Sequence, residues 1–175
     1  MAPGAGTTSG KTSTRLHRRA APENGPGMKY MDHSNKKMIG GAAIHLLGSS
    51  RHSKLTGYLI DDPTTEAAHI HDEANKAYYL NANGNAFYAA VWDMEKENPG
   101  PIATPIALLE LKAYSYAQNC RAGLWQQADN DWFDMRFLRR AFGIPLPVLV
   151  RDHISVEEYG DILKEVNGLD RFLGG

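Results

Sequence analysis

Residues 104–125 read TPIALLELKAYSYAQNCRAGLW. Thr104 offers a side-chain oxygen to the unpaired N–H groups of a helix start, and Pro105 suits the first helical position. Apolar residues then recur at Ile106, Leu109, Ala113, Tyr116, Ala117, Cys120 and Leu124. That is the spacing of one helical face, so the segment is expected to be a helix running from Pro105 beyond the middle of the stretch.

Working outward, the rest of the second half also reads as helical. DNDWFDMRFLRRAFG (129–143) is expected to be a second helix. Asp131 and Asp134 would fall in its first turn and Arg139 and Arg140 in its last, matching the helix dipole. Gly143 would stop it, with Pro145 following. PVLV (147–150) is a short candidate buried strand. Ser155 and Glu158 form a capping box, flanked by Ile154 and Tyr159 as a hydrophobic staple, and start a third helix toward Asn167-Gly168.

The first half has strand character. Residues 36–60 read as two short strands or a strand and a helix, and KKMIGGAAIHLLGSS (36–50) is apolar but broken by Gly40 and Gly41. KLTGYLI (54–60) has strand composition and ends at DDPTT. AYYLNANGNAFYAAVW (77–92) reads as a hairpin turning at Asn83-Gly84. ENPGP (97–101) is a break. These readings give an α+β fold: a small antiparallel sheet from the N-terminal half, packed against two or three helices from the C-terminal half.

The 175-residue chain is long enough for one domain with a sizeable core, expected over residues 28–175. Residues 1–27 differ in composition, with five Gly, three Pro and six Ser or Thr. So little of that stretch can be buried that it is expected to be a flexible arm. It carries Lys11, Arg15, Arg18 and Arg19 against Glu23 alone. The remainder has 15 basic and 19 acidic residues, so a basic arm joins a mildly acidic body within a chain of net charge −1. Such an arm fits nucleic-acid binding, an organellar transit peptide or a bacterial-type secretion signal. No apolar run approaches the roughly 20 residues of a membrane span. A single cysteine excludes an internal disulfide framework and tilts slightly toward a reducing compartment.

Four groups of residues carry possible chemistry. Cys120, the lone cysteine, is followed by Gly123 and Trp125. Over these few residues it resembles the surroundings of the papain-type nucleophile, without the flanking glycine pattern. A thiolate needs a helix N-terminus or a nearby cation, whereas the expected helix puts Cys120 in its last turns and on its apolar stripe. A structural thiol follows. The alternative is a helix broken at Asn119, with His153 as base and Asp161 as orienting acid.

His69 and His71 in HIHDE would share one face of a strand and are a weak candidate metal pair. Arg136, Arg139 and Arg140 share one helix face and, with Arg151 and Trp132, could meet phosphate or a partner; paired with Asp131 and Asp134 they would be an ordinary solvated face. The C-terminal Gly-Gly resembles a ubiquitin-like tail but follows a helix. Walker, G-x-G-x-x-G, H-E-x-x-H and Cys-x-x-Cys motifs are absent, and no cofactor is expected.

Aromatic residues exceed the needs of one core. The expected function is therefore a non-enzymatic subunit of a larger multi-protein assembly, of the virion or nucleoprotein-particle kind, forming a homo-oligomer or hetero-complex. The arm, with Arg136, Arg139 and Arg140, would contact nucleic acid or a neighbouring subunit. The alternative is a small secreted effector or toxin-like thiol hydrolase using Cys120, His153 and Asp161.

Overall fold

The computed structural model describes residues 35–62, 69–71, 74–80 and 85–173. The element order is β1 (Lys36–Ile39), α1 (Gly40–Leu46), β2 (Thr56–Ile60), β3 (His69–His71), β4 (Asn75–Tyr79), α2 (Ala86–Glu95), α3 (Pro105–Arg121), α4 (Trp125–Phe142), a short 3-10 helix (Val150–His153) and α5 (Val156–Leu173). The sheet comes from the N-terminal half and three long helices from the C-terminal half, an α+β arrangement.

The sheet is mixed, not antiparallel. Its order is β1-β2-β4-β3. β1 and β2 pair antiparallel, as do β3 and β4, but β2 and β4 run parallel, with Tyr58 level with Ala77. Beyond β1 the chain at 101–103 adds a single parallel bridge, Met38 to Ile102. Met38 N–H donates to the Pro101 carbonyl and Ala103 N–H to the Met38 carbonyl. The ENPGP break thus covers a sheet edge. Lys37 is held under it, its ammonium donating to the carbonyls of Asn98 and Gly100.

The chain leaves β1 through Gly40, whose φ of 76° is open mainly to glycine. It enters α1 directly, so the 36–50 segment is strand then helix. The expected 77–92 hairpin does not form. β4 ends at Tyr79, and Asn85 caps α2 by accepting from the N–H groups of Phe87 and Tyr88. Asn83-Gly84 lies outside the described residues. The aromatic run favoured strand by local propensity, but burial of Phe87 and Val91 in the core makes it helical.

α3 is the central helix. It packs most extensively on α4 and also touches α1, α2 and α5. Thr104 caps it, accepting from Ala107 N–H, with Pro105 in the first turn. Its buried residues are Ala107, Leu108, Leu109, Glu110, Leu111, Ala113 and Ala117. The expected stripe is therefore rotated: Ile106 and Leu124 are exposed and Leu108 is fully buried. A helix surrounded on several sides hides more than one face, which single-stripe reasoning misses.

α4 starts at Trp125, four residues before the expected start. Asp131 and Asp134 consequently sit on its inner face and not in its first turn. The left-handed Gly143 ends it, as expected. Residues 147–150 form no strand. Glu110 of α3 accepts the N–H groups of Val148, Leu149 and Val150 and turns the chain into the 3-10 helix. The Ser155–Glu158 capping box is present: Ser155 N–H donates to Glu158 Oε2 and Glu158 N–H to Ser155 Oγ. No helix among the described residues is long and apolar enough to cross a membrane.

Candidate functional site

The two faces of α4 differ sharply. Its inner face buries Ala128, Asp131, Asp134, Met135 and Leu138. The two carboxylates are held by cations from elsewhere in the chain. Lys112 Nζ lies 2.8 Å from Asp131 and 2.9 Å from Asp134. Arg51 donates through Nε and Nη2 to both oxygens of Asp134. Ser115 and Asn119 complete the acceptance of Asp131. Burial alone would lower the Lys112 pKa, but Asp131 and Asp134 hold the ammonium charged and raise it above its ordinary value. The expected pairing of these acids with the α4 arginines is replaced by this buried cluster.

With 3.6 residues per turn, Trp125, Asp129, Phe133, Arg136 and Arg140 fall opposite that inner face. Trp125 is 65% exposed and Phe133 40%. Phe133, Arg136, Phe137, Arg140 and Ala141 line a shallow groove of about 480 Å³. The Arg136 guanidinium sits 5.6 Å from the centre of the Trp132 ring. Two donors here, Trp132 Nε1 and Arg136 Nε, are buried and have no acceptor among the described residues. Arg139 turns toward the end of the helix, with Nε donating to the Ile144 carbonyl. The surface therefore unites aromatic area with Arg136 and Arg140, the residue types that dominate interface hot spots. Of the three arginines that helical spacing puts on one face, Arg136 and Arg140 line the groove and Arg139 does not. Trp125, expected to lie before the helix, is its first residue.

Cys120 lies in the last turn of an unbroken α3 and is half-buried. Burial raises its thiol pKa, against the effect of a Tyr116 hydrogen bond, and Asp131, Asp161 and Asp129 raise it further. Gly123, at φ 71°, belongs to the helix stop: Gly123 N–H donates to the Cys120 carbonyl and Leu124 N–H to that of Asn119. This pairing is a Schellman cap. The cysteine–glycine spacing thus has a backbone explanation.

His153 packs edge-on against Phe87, its ring centre 5.5 Å away. Asp161 is exposed and lies 3.7 Å from Lys164. No hydrogen bond joins Cys120, His153 and Asp161 among the described residues. His69 and His71 occupy β3, paired with Tyr78 and Lys76 of β4. No group of three or more His, Cys, Asp or Glu able to hold a metal occurs among the described residues. Lys11, Arg15, Arg18, Arg19 and the terminal Gly-Gly lie outside the described residues.

Searches of protein-family models, curated proteins and solved structures return no match to this chain.

Proposed function

We propose that this protein is a non-enzymatic assembly subunit that pairs with a second copy of itself through the outer face of α4. The observation that carries the reading is the Trp125–Phe133–Arg136–Arg140 stripe, on which Trp125, Phe133 and Arg140 are exposed.

The choice of a second copy rests on charge self-complementarity. A two-fold contact brings the same patch of each subunit together. If two α4 helices cross antiparallel at Phe133, Asp129 lies four residues to one side and Arg136 three residues to the other. At a rise of about 1.5 Å per residue, each Asp129 comes level with the partner's Arg136 to within about 2 Å along the axis. Trp125 comes level with Arg140 and Ala141 at the far end of the groove. Asp129 is exposed and has no ion pair among the described residues.

Size-exclusion chromatography with light scattering on the full chain tests this across a range of concentrations. Asp129→Arg and Arg136→Glu each place like charges opposite one another and are expected to give monomers. The double reversal restores opposite charges and should restore the dimer. A monomer at every concentration overturns the reading, as does a dimer indifferent to all three variants. Co-elution with nucleic acid that is lost in Arg136→Glu and not regained in the double variant would overturn it in favour of a nucleic-acid contact.

A further inference from the structure

Between β4 and the helices α2 and α3 lies a cleft of about 170 Å³, partly open to solvent. Lys76 and Tyr78 of β4, Tyr88 of α2, and Tyr114, Ser115 and Gln118 of α3 line it. Gly40 also lines it without a side chain, and a Cβ there would meet nothing within 4 Å.

Its walls are aromatic. The Tyr78 and Tyr88 rings lie 5.2 Å apart and those of Tyr88 and Tyr114 5.9 Å apart. Phe87 stacks on Tyr114 at 4.1 Å and backs this wall. Ser115 is committed to Asp131, which leaves Lys76, Tyr88 and Tyr114 to consider. The Lys76 ammonium stands 5.1 Å from the Tyr78 ring centre and has no carboxylate partner among the described residues. The hydroxyls of Tyr88 and Tyr114 have no hydrogen-bond partner among them either. Burial, with the neighbouring phenols of Tyr78 and Tyr114, raises the Tyr88 pKa far above its usual range, so this hydroxyl stays protonated and can donate. Lys112 also reaches the cleft, but its charge is matched by Asp131 and Asp134.

We propose that this cleft binds a small aromatic carboxylate, with Lys76 and the Tyr88 and Tyr114 hydroxyls on the carboxylate and the tyrosine rings against its aromatic face. The size follows from the volume, which is below the roughly 300–1,000 Å³ of pockets for drug-sized ligands and suits a single ring. The charge follows from one uncommitted ammonium and neutral donors. These match a monoanion, whereas a phosphate dianion is ordinarily held by arginine or several cations. The ring follows from the aromatic walls, which favour offset or edge contacts at 4.5–7 Å.

Isothermal titration of the full chain with benzoate, benzamide and phenyl phosphate tests it. Benzoate is expected to bind, and neutral benzamide about tenfold or more weaker, since a charge-assisted hydrogen bond contributes about 1.5–3 kcal/mol. Lys76→Met should weaken benzoate by a similar factor. Tyr88→Phe should weaken it by about tenfold or more, since its hydroxyl would donate to an ionised acceptor. Lys96→Met, at an exposed lysine just past the end of α2, should leave binding unchanged, and matching circular dichroism would establish that the variants fold. Absence of benzoate binding at millimolar concentration overturns the proposal, as does equal binding by folded Lys76→Met. Phenyl phosphate binding more tightly than benzoate overturns the assignment to a carboxylate. None of these readouts depends on self-association.

Discussion

Replacing Asp134 by asparagine keeps the shape of a buried side chain and removes its charge. The wild-type cluster is balanced: Arg51 and Lys112 face Asp131 and Asp134. The Asp134 side chain is 1% exposed and that of Lys112 11%, while Arg51 retains 20%. Asp134→Asn leaves an uncompensated positive charge among groups that water hardly reaches. Removing one partner of a buried ion pair costs about 3–5 kcal/mol, a large share of the 5–15 kcal/mol that holds a typical domain. Arg51→Met removes the opposite charge from the more exposed end and should cost less, about 1–2 kcal/mol. The double variant restores neutrality, so its loss should fall short of the sum by about 0.5–3 kcal/mol. Urea denaturation followed by circular dichroism gives all four stabilities. A loss below about 1 kcal/mol for Asp134→Asn, or strict additivity in the cycle, would refute the reasoning. The same cluster fixes an alkaline limit. The Lys112 pKa is raised by folding, so its contribution is complete below the unfolded value near 10.4 and is lost as pH rises through the folded one.

Glu110→Ala strips the acceptor from the N–H groups of Val148, Leu149 and Val150 and should cost about 2–4 kcal/mol, with hydrogen exchange at these amides accelerating before the rest; unchanged exchange there would count against the carboxylate's role. Glu158 resists the upward pull of burial: the Ser155 backbone and side-chain hydrogen bonds and Arg121 hold its carboxyl below the usual range. That stability is present above the unfolded pKa of about 4.3 and is lost as pH falls through the folded value, so Ser155→Ala should cost about 1 kcal/mol at neutral pH and less in acid. Its thermal unfolding at several pH values checks the sign. Cys120 should alkylate more slowly than a free cysteine at neutral pH because its thiol pKa is raised; thiolate ultraviolet absorbance at that pH would contradict it.

The elements legible in the sequence are those written in local chemistry. Thr104-Pro105 starts α3, Gly143 ends α4, and Ser155 with Glu158 opens α5. Each signal acts within four residues of itself. The parallel β2–β4 pairing was not legible, because hydrogen bonds between distant segments leave no local mark. α2 was misread because Tyr, Phe and Trp favour strands locally while the core required a helix. The tyrosine cleft followed it out of view, since a hairpin over 77–92 does not set Tyr88 on a helix beside Tyr78 and Tyr114.

The buried charges were the largest blind spot. Lys37, Glu95, Glu110, Asp131 and Asp134 are all buried, and pattern reasoning sends charged residues to the surface. Their partners are remote; Arg51 reaches Asp134 across 83 residues of sequence. Glu95 is the clearest case. It accepts from Thr104 N–H and Oγ1 and from Asn98, tying the end of α2 to the residue that caps α3. The Thr104 cap was read correctly while the group that positions it was invisible.

These charges also bear on the outer face of α4. Apolar contacts through Ala128, Met135 and Leu138 are non-directional and tolerate rotation of a helix about its axis. The bonds from Arg51 and Lys112 to Asp134, and from Ser115 and Asn119 to Asp131, are directional and set that rotation. Whatever fixes the inner face fixes the outer one, because Asp134 and Phe133 are neighbours on the same rigid element. On the proposed pairing through α4, Asp134→Asn is therefore expected to weaken self-association in mild conditions where the chain is still folded, although Asp134 is buried on the inner face. Sedimentation equilibrium at sub-denaturing urea concentrations separates the effects. A dimer as tight as wild type in a destabilised but folded variant would show that the apolar contacts alone orient α4.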